Sequence, residues 1–429
     1  MILSLSVEIL QEIGVMLFKL ADQKSLRSVC RVLGLAINPL FFSTVVLDIH
    51  SRRLDESLSY LEALANGKTG WSQYAQSLKI TRLSPGGGFM KKEDFPQLQS
   101  AHRRMEQSLR SALESLKNVR IVTRSLFLND LHLWIMRSDL HGLERLSGLS
   151  KLKLFTTNTD GHDGPLFISF QPVVKMISQS PNLSSLDLMV GFMDISDIWK
   201  MLNAQKIHLK DLTTHSVTIE LIQYLASYSG LERLTLPDAG SNIGVEERDT
   251  LADLFFQRAL PRHAETLVAF SLPDAYEGHW SFGLHNVDVI SRLRKLRILE
   301  TSVTMADIME NSDSGTKNAV VLLLELVANR RALQNVAILP ATAERNRGAT
   351  CGQPWMHHST TVAKRMRAIV HEFRTEIPSQ TLLRVWYNWY KLKPTSDSDS
   401  EQTLWSYQEF AHTDRKWERL KRLTQPFDV

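Results

Sequence analysis

A chain of 429 residues, 43% hydrophobic and 22% charged, has the composition of a folded globular protein and excludes wholesale disorder. Its formal charge of +4 is slight for this length and argues against nucleic acid as the partner, because phosphate binding shows as clustered Lys and Arg. Two cysteines, Cys30 and Cys351, are too few for a disulfide framework and fit a reducing compartment. The apolar run Ile13 to Phe18 follows Glu8 and Glu12, precedes Lys19 and lacks a small-residue cleavage site, so no secretory signal is expected. No window approaches the roughly 18 uninterrupted apolar residues of a membrane span, and a cytoplasmic or nuclear protein is expected.

From the amino end, Ile9, Leu10, Ile13, Met16, Leu17 and Leu20 recur at the spacing of one helix face, with Ser6 as N-cap and Glu8 in the first turn. A second stripe runs through Leu26, Val29, Cys30, Leu33 and Ile37, opened by Asp22 and closed by Asn38-Pro39. Two or three short amphipathic helices are predicted. Segments this small rarely sustain a core alone, so part of their apolar surface must rest on the rest of the chain or on a partner.

The order L-x-x-E-I-L-x-E-I, then S-L-x-x-V-C-R, then N-P-L-F-F-x-x-V-V-L across residues 5–47 resembles the F-box, the motif that docks on the Skp-family adaptor of SCF ubiquitin ligases. Ser6 stands where the family usually has proline, and Val32-Leu33-Gly34-Leu35 lacks the family's aromatic residue. The resemblance implies that Leu5, Ile9, Leu10, Ile13, Leu26, Val29, Cys30 and Leu33 form the adaptor-binding and helix-packing set. It also implies a cullin scaffold reached through that adaptor.

Beyond Leu47 a phrase L-x-x-L-x-L recurs, as in Leu149-Leu152-Leu154, Leu183-Leu186-Leu188 and Leu231-Leu234-Leu236. Variants are Leu116-Val119-Ile121, Leu267-Phe270-Leu272, Leu293-Leu296-Ile298 and Leu333-Val336-Ile338, with weaker copies at Leu209-Leu212-Thr214 and Ala75-Leu78-Ile80. The closing L-x-L suits a short strand with one buried face. Between the phrases the period is helical, as in Leu54, Leu58, Leu61 and Leu64, in Val173, Val174 and Ile177, and in Leu221, Ile222 and Leu225. One strand and one helix per unit is the pattern of leucine-rich repeats, with insertions at Pro85–Gly88, Asp160–Pro165, Gly240–Gly244 and Ala341–Pro354. The repeats lack the consensus asparagine and resemble the irregular ones of F-box proteins.

Past Thr350 the phrase stops. Thr361 to Phe373 reads as a helix, Leu383, Val385, Tyr387 and Trp389 as one strand, and Trp405 to Leu423 as a last helix, together a C-terminal cap. Residues 395–401 form an acidic run read as a solvated linker.

No catalytic constellation stands out. Gly86-Gly87-Gly88 lacks the spacing of a phosphate loop, Cys351 with His357 and His358 lacks a fourth metal ligand, and His279 and the Asp160-His162-Asp163 group read as loop residues. No cofactor, metal or catalytic residue is expected. On outward positions of the strands Arg120, Lys151, Lys153, Arg233, Lys295 and Arg297 outnumber Asp187 and Asp211, which predicts a mildly basic surface for an acidic or phosphorylated target.

The expected architecture is α/β: a helical F-box over 1–48, an irregular leucine-rich-repeat solenoid over 49–349 and a capping region over 350–429. The expected function is that of a non-catalytic substrate receptor in an SCF-type ubiquitin ligase, with an unidentified protein target and neither nucleic acid nor membrane as partner. The alternative is a leucine-rich-repeat scaffold unconnected with ubiquitin, its N-terminal helices capping the first strand.

Overall fold

The computed structural model describes residues 4–17, 19–50, 53–84, 95–127, 142–157, 170–190, 194–241, 243–273, 276–309, 318–347, 353–395 and 403–410. It is a mixed α/β protein that divides into two compact units, Met1–Ile207 and His208–Val429.

The first unit opens with helices α1 (Val7–Val15), α2 (Leu20–Arg27) and α3 (Arg31–Phe41). The stripe expected on one helix from Ile9 to Leu20 is therefore broken. The Leu17 amide turns back to the Gly14 carbonyl, and the Gln23 side chain donates to the carbonyls of Gly14 and Leu17 at 3.3 and 3.1 Å, which satisfies groups that a helix end leaves open. The second stripe is also two helices, because Cys30 is extended at φ −159°, ψ 167°; the first turn begins at Lys19, not at Asp22. Pro39 does not stop α3. It lies in the last turn, where one backbone donor is lost while Phe42 N–H still reaches the Asn38 carbonyl at 2.9 Å.

Five strands follow: β1 (Thr44–His50), β2 (Ser77–Ser84), β3 (Ile121–Phe127), β4 (Lys151–Thr157) and β5 (Ser185–Met189). They pair in parallel in chain order, which requires crossovers, supplied by α4 (Leu54–Ala65), α5 (Gly70–Tyr74), α6 (Phe95–Ser115) and α7 (Gln171–Ser178); α8 (Ser196–Ala204) follows β5. Two rows run across the strands and form the core: Val45, Leu78, Val122, Leu152, Leu186, and Leu47, Ile80, Arg124, Leu154, Leu188. Each fully buried leucine in such a row stabilises by about 1.5–3 kcal/mol relative to exposure. This register corrects one phrase. The β3 unit reads Val119-Val122-Arg124, not Leu116-Val119-Ile121, and an additional unit, Phe42-Val45-Leu47, precedes the expected first one.

The second unit holds β6 (Asp211–Thr214), β7 (Arg233–Thr235), β8 (Ala269–Leu272), β9 (Ile298–Val303), β10 (Asn335–Pro340), β11 (Arg374–Thr375), β12 (Leu382–Val385), β13 (Asn388–Pro394) and β14 (Trp405–Glu409). Strands β6 to β10 and then β12 are parallel, and β12, β13, β14 and β11 continue antiparallel. The helices are α9 (Ile219–Ala226), α10 (Val245–Leu254), α11 (Val287–Ser291), α12 (Met305–Ile308), α13 (Ala319–Ala328) and α14 (Gln353–Glu372). The inward row is Leu212, Leu234, Phe270, Leu299, Val336 and Leu383, so the β9 unit reads Leu296-Leu299-Thr301, three residues later than expected. The single strand expected from Leu383 to Trp389 is a hairpin that turns at Trp386-Tyr387, and Tyr387 is 71% exposed. The segment at Trp405 begins as strand rather than helix, because Trp405 and Tyr407 pair with Pro394 and Leu392 of β13; residues 411–429 lie outside the described ones.

Candidate functional site

The N-terminal helices divide the eight residues expected to meet an adaptor. Leu10, 1% exposed, packs with Leu33 and Ala36, and Leu26 and Cys30 close over them half-buried, as is Ile13. These side chains hold the helices together. Leu5, Ile9 (49% exposed) and Val29 (69% exposed) face solvent instead.

Sequence reasoning missed most of the outer surface. Val7, Val15, Met16 and Leu20, then Val32 and Leu35, and Val46 on β1, are exposed as well. For Val7, Val15, Val32 and Leu35 the signal was an apolar residue off each stripe: a helix apolar on more than one side has more surface than one contact can cover. Ten of the seventeen exposed large hydrophobic residues among those described lie between Leu5 and Val46, which sets this segment apart from the rest of the surface. Charge marks its border at α1, where the Glu8 carboxyl is held below its usual range by its own backbone amide and the Ser6 hydroxyl.

The outward side of the strands is the second candidate. In the first unit Lys153 lies 3.1 Å from Asp187, its register partner on β5. Burial raises the Asp187 carboxyl above the ordinary range, while the Lys153 ammonium works against that shift. Arg120 folds back on its own turn, donating to the carbonyls of Lys117 and Val119 at 3.1 and 3.0 Å, and Lys151 is exposed.

In the second unit Arg233 lies 2.5 Å from Asp211, again its register partner. Lys295 sits in the turn before β9, and Arg297 immediately precedes that strand; both are exposed. The structure thus neutralises Lys153 and Arg233 across neighbouring strands. One of the three predicted bases in each unit is thereby paired with an acid.

A ladder not foreseen runs across the second unit. Ser271 on β8 donates to Glu300 on β9 at 2.6 Å; Glu300 also accepts from Arg384 on β12, whose guanidinium stands 5.8 Å from the Trp389 ring on β13. Register explains it: Ser271, Glu300, Ala337, Arg384 and Trp389 share one row, and the small Ala337 lets Glu300 reach over β10.

A charge cluster around the buried Arg248 closes the loops after β7, β8 and β10. Arg248 is 0% exposed; its guanidinium donates to the Glu277 carbonyl and to Glu344 Oε2, the latter at 3.2 Å. Arg347 pairs with Glu344, donates to the Ser241 carbonyl and stands 4.5 Å from the Tyr276 ring. Against a partial desolvation that works to raise it, the half-buried Glu344 carboxyl is held below its usual range by Arg347 and Arg248. His358 lies 3.3 Å from Glu277 Oε1, and His279 Nδ1 is 2.9 Å from Asp253. Cys351, the glycines of 86–88 and the group at 160–163 lie outside the described residues. Among the described residues no group of three or more His, Cys, Asp or Glu is placed to hold a metal, and no helix is long and apolar enough to cross a membrane.

No protein-family model matches the chain, and no curated protein matches it.

Proposed function

We propose that this chain is a substrate receptor of an SCF-type ubiquitin ligase. The N-terminal helices grip a Skp-family adaptor and through it a cullin, and the strand-and-helix units, read as irregular leucine-rich repeats stacked as a solenoid, present a protein target. Its contribution is proximity: target and charged ubiquitin carrier on one scaffold reach a high effective concentration without chemistry from this chain. The observation that carries the reading is the concentration of exposed apolar residues on α1, α2 and α3. Helices that bury Leu10 and Leu33 internally and still expose Ile9, Met16, Leu20, Val29 and Leu35 have a second face for a partner.

The test is co-purification with a Skp-family adaptor. Ile9→Asp with Val29→Asp changes exposed positions, so the variant is expected to keep its thermal transition and lose the adaptor. Retained adaptor with both charges in place would defeat the reading.

A further inference from the structure

The outward side of the C-terminal hairpin brings lysines and aromatic rings together. In β13, Trp389, Lys391 and Lys393 alternate outward while Tyr390 and Leu392 are buried on the other side. The His371 ring lies 5.5 Å from Tyr390, and Phe373 lies 6.2 Å from Tyr407 of β14. On the outward side the Lys391 ammonium stands 4.6 Å from the Phe410 ring. Lys391 and Lys393 are exposed, and neither has an acidic partner among the described residues. Elsewhere on the strands Lys153 and Arg233 are neutralised by Asp187 and Asp211.

The hairpin is held at a cost. Trp386 adopts φ +54° in its two-residue turn, a left-handed conformation that disfavours a bulky side chain by about 1–3 kcal/mol. Its amide donates to the Ile338 carbonyl at 2.8 Å, and its ring lies 4.6 Å from that of Tyr387, tilted by 33°. A strained turn that keeps Tyr387 71% exposed, next to two unpaired lysines flanked by aromatic rings, has the composition of a binding patch.

We propose that this face docks an extended acidic polypeptide segment with carboxylates at alternate positions and an aromatic or aliphatic side chain at one end. Lys391 and Lys393 are two residues apart on a strand, about 7 Å, which is the spacing of alternate side chains on an extended peptide. Two carboxylates then meet two ammonium groups, while the terminal apolar residue packs on Trp389 and Tyr387. This docking needs no adaptor, so it stands or falls apart from the ligase reading.

The test uses the full chain and a labelled ten-residue peptide with Asp at alternate positions and Tyr near one end, followed by fluorescence anisotropy. The comparison peptide carries Asn in place of Asp. The sequence itself has acids at alternate positions, Asp397, Asp399 and Glu401, so each measurement is repeated with Asp397→Asn, Asp399→Asn and Glu401→Gln to remove self-competition. The expected result is preference for the acidic peptide, weakened by salt and reduced about tenfold or more by Lys391→Glu with Lys393→Glu. Lys175→Glu, on an exposed residue of α7 in the first unit, leaves it unchanged. Equal binding of both peptides, no loss in the double reversal in either background, or tighter binding of a single-stranded oligonucleotide would overturn the proposal.

Discussion

His263 Nε2 donates to the carbonyl of Leu225 at 3.0 Å, and its Nδ1 accepts from the Leu231 amide at 3.3 Å, so the ring is locked as one neutral tautomer. Burial lowers its pKa from 6.5 to about 4, against the raising effect of the Leu225 carbonyl and with help from nearby Arg262. The sign follows from linkage: between these two values the unfolded chain takes up a proton that the folded chain refuses. Stability therefore declines as pH falls from 6.5 toward 4, by about 3 kcal/mol from this group. His263→Gln is expected to be less stable at pH 7 and to lose that part of the slope, measured by denaturant unfolding across the window. An unchanged slope would mean that another group carries it.

Leu10 and Ile9 are neighbours on α1 with opposite fates. Leu10→Ala opens a cavity against Leu33 and Ala36 and is expected to cost about 2–5 kcal/mol in the first unit. Ile9→Ala, at a half-exposed position, is expected to stay within about 0.5 kcal/mol. Equal losses would mean that Ile9 is covered by the chain itself, and the docking face would disappear with it.

Gly70 begins α5 against the Phe42 ring. A Cβ there would stand 2.4 Å from two ring carbons, and Phe42 cannot retreat because Trp71 and Phe41 pack edge-on to it, each at 4.9 Å, with Arg27 over its face. Gly70→Ala is expected to destabilise by about 1–3 kcal/mol, seen as a lower Tm without loss of secondary structure.

The strands were legible in the sequence because a leucine row inside a parallel array needs the same residue type at the same place in each unit. The phase was harder to read, and the two misplaced phrases have one cause. In the β3 and β9 units the last inward position is polar, Arg124 and Thr301, both buried. In both units a fully apolar triplet starts three residues earlier and wins over the polar frame, at Leu116 and Leu293, which are buried just past the preceding helical segments. Only the hydrogen-bond register separates the alternatives. The pairing of the outward charges was hidden for a related reason: Lys153 with Asp187 and Arg233 with Asp211 are adjacent across strands but 34 and 22 residues apart in the chain, so their neutralisation is invisible until the register is known. Glu300 and Arg384 were hidden in the same way.

Arg248 supplies the last expectation. Its stem runs between two loop glycines: a Cβ on Gly240 (φ +70°) would stand 2.7 Å from Arg248 Cγ, and one on Gly278 would stand 2.4 Å from its guanidinium nitrogen. The guanidinium so enclosed joins the Glu277 carbonyl after β8 to Glu344 after β10. Removing a fully buried charge from such a cluster strands its partners, at a cost of about 3–5 kcal/mol. Arg347, however, still neutralises Glu344 when Arg248 is gone, so the loss in Arg248→Ala is expected at the lower end of that range. Arg248→Ala with Arg347→Ala leaves Glu344 without either cation and should cost more than the two single losses together. A double-mutant cycle read by denaturant unfolding checks this, and strict additivity would show that the two arginines hold their loops independently.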